Sequence, residues 1–186
     1  MTKPSYPHYQ IAAWVMLGYS VMDALIGGGM PALLKAGFIG LQIFILLGFR
    51  SLLPVGCAAR KVIPWFVTWR AYHLVITLLG SSLLPEPIDS LFALAGLGVI
   101  KPLMYVFILD ERQSPVFPQL RMVALWGLMS LLWVPSHTLD AQTEHMVTAF
   151  ADFGQGILSA IYFYFVAQLF IAAQKLPPPV PATITP

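Results

Sequence analysis

The sequence predicts an all-α integral membrane protein, a helical bundle with about six transmembrane helices. Of its 186 residues, 58% are hydrophobic and only 10% are charged, whereas soluble domains have about 45–50% apolar and about 25% charged residues. One soluble core of this size could not bury so much apolar surface. The apolar residues also form long segments between Gly- and Pro-rich connectors, as in a polytopic helical protein.

Six apolar segments can be drawn, and as few as four spans would still fit the composition. The segments are Tyr9–Ile26, Met30–Phe49, Val62–Leu84, Ile88–Leu109, Leu120–Val134 and Met146–Ala173. A spanning helix needs about 20 residues, which the second, third and fourth segments reach comfortably. The fifth has 15 residues between Pro118 and Pro135, so it could be a short span or a re-entrant piece.

The segments predict one transmembrane domain, residues 9–173, between two short terminal stretches. Residues 1–8 contain no small-residue cleavage site before the first apolar segment. We therefore expect that segment to stay in the mature protein. Residues 174–186 are rich in proline and predict an extended, poorly ordered tail.

Charge placement predicts the orientation of the bundle. If all six segments cross, one side carries seven basic residues and the opposite side only Lys35. The seven are Lys3, Arg50, Arg60, Lys61, Arg112, Arg121 and Lys175. The positive-inside rule then places both termini in the cytoplasm of a bacterial-type inner membrane.

Four ionisable residues lie inside the apolar segments and form the predicted intramembrane polar centre: Asp23, Arg70, His73 and Lys101. A charge at the middle of a membrane helix costs at least about 2.5–3.5 kcal/mol on insertion scales, so it is retained where it is paired, hydrated or used. A second polar stripe follows helical spacing in the last segment, through Asp152, Gln155, Ser159 and Tyr162. Because hydrocarbon cannot satisfy their hydrogen bonds, such stripes should face protein or water.

The polar centre has two interpretations. The first is a path for an ion, a proton or an anionic solute, since buried acids and histidines serve as relays in pumps and transporters. In the second, Asp23 neutralises Arg70 or Lys101, and His73 donates a hydrogen bond that fixes helix register. The Lys101-Pro102 pair favours the first, because a proline frees a carbonyl and kinks the helix, as at transporter binding sites.

A polar stretch before the last segment contains four weak candidate metal ligands, His137, Asp140, Glu144 and His145. Their spacing matches no specific zinc motif, so a polar outward loop is the favoured interpretation and no metal centre is predicted. The single cysteine, Cys57, excludes an internal disulfide. Neither a cofactor nor an enzymatic motif is predicted, and the net charge of +2 without a basic patch gives no nucleic-acid partner.

Three functions follow, in order of preference. The first is movement of a small ion or solute through the polar centre. The second is a non-enzymatic accessory or assembly subunit of a larger membrane complex. The third is a membrane enzyme acting on a lipid or a quinone. The expected partners are the lipid bilayer and further membrane subunits or a second copy of the chain.

Overall fold

The computed structural model describes residues 6–26, 31–80, 83–132 and 144–176, apart from the side chains of residue 132 and of residues 144–152. Within these ranges the chain forms six helices and no strand. They are α1 (Tyr6–Ile26), α2 (Ala32–Leu52), α3 (Ala58–Leu79), α4 (Glu86–Asp110), α5 (Phe117–Leu132) and α6 (Glu144–Gln174). The predicted all-α class is confirmed.

Five of the helices are long and apolar enough to cross a membrane: α1 to α4, and the Phe153–Gln174 part of α6. Large apolar side chains cover the outside of the bundle; Leu33 and Trp65, for example, are 77% and 69% exposed. Such a surface suits lipid rather than water. The described part of α5 has 16 residues and rises about 24 Å, less than the roughly 30 Å hydrocarbon core.

Local sequence explains where the helices begin and end. Helix α1 begins at Tyr6, three residues before the predicted start, because Pro7 is tolerated in a first helical turn. Helix α3 begins where the Cys57 thiol accepts a hydrogen bond from the Arg60 N–H. It ends at Leu79, five residues before the predicted end, because Gly80 adopts a φ of 70° and donates its N–H to the Ile76 carbonyl.

Helix α4 widens in its middle. Residues Ala95–Ile100 form a π-helical turn, in which the Lys101 N–H donates to the Gly96 carbonyl five residues earlier. Pro102 has no N–H to donate, so regular α-helical bonding cannot continue through this point. The distortion predicted from Pro102 therefore appears as a wide turn immediately before Lys101, and such turns are frequent at functional sites.

The described helices form a closed ring. Each helix packs against the next along the chain, and α6 also packs against α1. At one end of that last pair, Gln174 Nε2 donates to Gln10 Oε1 at 2.7 Å; at the other, Gly156 lies against Ala24. Helices α1 and α6 are therefore antiparallel, and the start of α1 lies beside the end of α6. The ring encloses an interior that can hold polar side chains away from lipid.

Candidate intramembrane binding site

A cavity of about 170 Å³ lies inside the ring. Residues of α2, α3, α4, α5 and α6 line it. Two cationic side chains line it, Arg70 from α3 and Lys101 from α4. Its other polar lining groups are amides and hydroxyls: Gln42, Tyr105, Ser130, Gln155, Ser159 and Tyr162. We call this space the basic cavity. Its polar lining explains how these residues can lie within apolar helices.

Neighbouring groups hold both cations in place. Lys101 Nζ donates to Ser130 Oγ at 3.3 Å, and the Ser130 hydroxyl donates to the Gly127 carbonyl at 2.7 Å. The Arg70 guanidinium carbon lies 5.5 Å from the centre of the Trp69 ring, within the range of a cation–π interaction. These contacts fix the positions of the two charges without neutralising them.

The two cations have no carboxylate partner among the described side chains. Arg70 interacts electrostatically with the Tyr19 and Tyr105 hydroxyls, and Lys101 interacts with Arg70. No aspartate or glutamate is among these neighbours. The basic cavity therefore brings two like charges together, and they repel each other in a medium of low dielectric constant.

The Tyr105 and Tyr162 side chains form one polar wall of this cavity. Their hydroxyls share a hydrogen bond, and their ring centres lie 6.1 Å apart in an edge-to-face arrangement. Gly127 packs directly on the Tyr105 ring, and a Cβ there would overlap it. This packing fixes Tyr105 on the cavity side of the α4–α5 contact.

A second cavity of about 210 Å³ adjoins the first and contains Asp23. Four residues line both cavities, namely Gln42, Gln155, Ser159 and Phe163. We call this space the acidic cavity. Tyr19 lines it as well and interacts electrostatically with both Asp23 and Arg70. The negative and positive groups therefore belong to adjacent compartments with a shared wall.

His73 lines neither the basic cavity nor the acidic cavity. Its ring centre lies 4.4 Å from that of Trp69 and 6.0 Å from that of Tyr72. Its Nε2 atom is buried without a hydrogen-bond partner. Tyr72 in turn donates its hydroxyl to the Asp89 carboxylate. Trp69 therefore separates His73 from the basic cavity.

The four residues of the predicted polar centre therefore do not share one cavity. Arg70 and Lys101 share one cavity, Asp23 occupies the next and His73 lies behind Trp69. Asp23 Oδ1 is buried without a hydrogen-bond partner, so neither Arg70 nor Lys101 bonds to that atom.

Of the predicted second stripe, Gln155, Ser159 and Tyr162 line the basic cavity. Asp152 lies one turn before Gln155, and its side chain is outside the described part. The metal candidates His137 and Asp140 lie outside the described residues, as do the side chains of Glu144 and His145. Across the described ranges, no three His, Cys, Asp or Glu side chains group as a metal site.

Sequence reasoning missed several residues of the basic cavity, among them Gln42, Ser130 and Trp69. Gln42 interrupts the apolar run of α2, and a lone amide in a spanning helix is a usable sign of an interior contact. Ser130 carries no such sign, because serine is common in membrane helices. Trp69 lies near the start of a spanning helix, where a tryptophan is usually assigned to the membrane interface, yet it lines the cavity and is 2% exposed.

The fold and the enclosed site define a multi-pass helical membrane protein with a charged interior. No protein-family model, curated protein or solved structure matches the chain. Its particular activity must therefore be argued from the cavity itself.

Proposed function

We propose that this protein binds a small anion in the basic cavity and carries it across the membrane. The observation that supports this is the presence of Arg70 and Lys101 in one cavity without a described carboxylate partner. A buried cation without compensation costs several kcal/mol. A bound anion offsets this cost for both cations at once.

The lining groups suit an oxyanion. The planar guanidinium of Arg70 matches a carboxylate or phosphate with two parallel hydrogen bonds. Lys101 adds a point charge, and the hydroxyls of Tyr105, Ser130 and Tyr162 can each donate or accept a hydrogen bond. One water needs only about 10–15 Å³ of such volume, so the cavity of about 170 Å³ accommodates a small organic anion or phosphate.

The adjoining acidic cavity lies toward the Ile26 end of α1, and Asp23 is three residues from that end. A ligand reaching the basic cavity from this side passes Gln42, Gln155 and Ser159 in the shared wall. We propose that the two cavities together form part of the route across the membrane. We further propose the orientation predicted by the positive-inside rule, with Arg60 and Lys61, in the first turn of α3, at the cytoplasmic side of a bacterial-type inner membrane.

A different observation favours an accessory subunit as the second candidate function. A Cβ added to Gly18 or Gly37 would meet nothing within 4 Å, and both residues are exposed. Small residues on a lipid-facing surface allow another helix to approach closely. In that case the polar interior would serve only to hold the bundle together.

Anion uptake into proteoliposomes separates the two functions. Labelled phosphate, chloride and a small dicarboxylate should be compared in vesicles containing the wild type, Arg70→Gln, Lys101→Met or the control Arg121→Gln. Arg121 is exposed and lines neither cavity. We expect saturable uptake of at least one anion, reduced at least tenfold by the two cavity variants and unchanged by the control. No uptake, with a stable partner co-purifying in mild detergent, would favour the accessory role instead.

A further inference from the structure

The acidic cavity contains two buried acceptor atoms that no described donor satisfies. They are Asp23 Oδ1 and Gln155 Oε1, and both residues line this cavity of about 210 Å³. A buried oxygen that lacks a donor or a cation carries the full cost of leaving water. Two such oxygens in one cavity therefore indicate a ligand that accepts electron pairs.

The remaining polar groups of the cavity also offer oxygen atoms. The Ser20 hydroxyl donates to the Met16 carbonyl at 2.9 Å, so its proton is already used and its oxygen can still serve as an acceptor. Tyr19 and Gln42 supply one further oxygen each. No lysine or arginine lines this space. The described lining therefore combines one negative charge with several neutral oxygens.

This donor set defines the class of the ligand. Carboxylate, carbonyl and hydroxyl oxygens bind hard cations, whereas softer transition metals prefer nitrogen or sulfur. One carboxylate balances a single positive charge. The described residues hold no group of three His, Cys, Asp or Glu side chains that a more highly charged metal would use.

We propose that the acidic cavity binds one alkali-metal cation, with the Asp23 carboxylate, Gln155 Oε1 and Ser20 Oγ as ligands. The cation site stands on these oxygens alone and does not depend on anion binding. If the proposed anion site is also correct, the two ligands occupy adjacent cavities separated by Gln42, Gln155 and Ser159. Their opposite charges would then make each ligand bind more tightly in the presence of the other, which is reciprocal coupling.

Thermal unfolding of the whole protein in an uncharged detergent tests the cation site. Sodium, potassium and N-methylglucamine chlorides are compared at equal pH, chloride and ionic strength. We expect sodium or potassium to raise the melting temperature saturably above the N-methylglucamine value. Asp23→Asn should abolish the response, and Gln155→Leu should shift its midpoint at least tenfold higher. The matched control Asp110→Asn, which removes an exposed carboxylate, should behave as wild type.

Three results would overturn the proposal: identical melting in all three salts, a full alkali response in Asp23→Asn, or a response to pH alone, which would identify a proton site. If Asp23→Asn does not fold, Gln155→Leu and Ser20→Ala decide the question, since unchanged midpoints in both would exclude these ligands. The alkali response is measured without phosphate or dicarboxylate, and anion binding is measured separately in the wild type. A protein that responds to alkali cations but binds no anion would disprove only the anion proposal, and the reverse result would disprove only the cation site.

Discussion

The Lys101 ammonium and the Ser130 hydroxyl are hydrogen-bonded at 3.3 Å across the contact between α4 and α5. The Ser130 hydroxyl donates a hydrogen bond to the Gly127 carbonyl, one turn earlier in α5. The hydroxyl oxygen is therefore oriented to accept from the lysine. These two hydrogen bonds connect α4, directly after its wide turn, to α5. They also fix the position of the Lys101 ammonium.

Replacement of Ser130 with alanine tests this contact. We expect Ser130→Ala to lower the free energy of unfolding by about 1–3 kcal/mol, because the buried ammonium loses an acceptor. Ser51→Ala is the matched control: its hydroxyl also donates to a carbonyl three residues earlier, at 2.7 Å, but it is exposed and has no lysine partner. The control should change stability by less than about 0.5 kcal/mol. Equal losses in both variants, measured by denaturation in detergent, would contradict the Lys101 contact.

The wide turn of α4 needs a glycine at residue 96. A Cβ there would overlap the Trp69 indole, whereas a Cβ at Gly98 in the same turn meets only the Leu94 side chain, at 3.5 Å or more. Gly96→Ala should therefore destabilise the protein by about 1–3 kcal/mol through overpacking, and Gly98→Ala should be nearly neutral. Thermal melting of the two variants checks the difference. Adding Trp69→Leu to Gly96→Ala should recover part of the loss, because the two sites are in contact.

His73 should have no direct part in ligand binding. Because Trp69 lies between its ring and the basic cavity, His73→Gln should leave anion affinity within about twofold of wild type. The lost contact with the Trp69 ring should cost about 0.5–1.5 kcal/mol of stability. Binding and denaturation on the same preparation test both parts. A tenfold loss of affinity at unchanged stability would mean that the imidazole reaches the ligand.

The orientation of the bundle can be tested at Cys57, the only thiol. It lies in the loop before α3 and is half-buried. If that loop is cytoplasmic, a membrane-impermeant maleimide should label Cys57 only after the cells are opened. A Cys57→Ser/Leu83→Cys variant places the thiol between α3 and α4, at an exposed position, and should be labelled in intact cells. The reverse pattern would invert the orientation.

The sequence predicts the fold more completely than the site. The length of the apolar segments and the spacing of the prolines are local properties, so the sequence predicts the six helices. The ends of α3 differ from the predicted ends because Cys57 and Gly80 cap this helix. The polar centre depends on how the helices rotate in the ring. The sequence groups Asp23 and Arg70 in one polar centre, yet they line different cavities. Ser130 is identified as a cavity residue only once neighbouring helices are in position, whereas Gln42 carries a sign in the sequence.

In the proposed function, Arg70 and Lys101 bind an anion together. Equilibrium binding in an uncharged detergent tests it most directly, with phosphate, chloride and a small dicarboxylate titrated by calorimetry into wild type, Arg70→Gln, Lys101→Met and the control Arg121→Gln. We expect one saturable site for at least one of these anions, weakened at least tenfold by either cavity variant and unchanged in the control. Binding that is equally strong in all four proteins, or absent from the wild type for every anion, would contradict the claim.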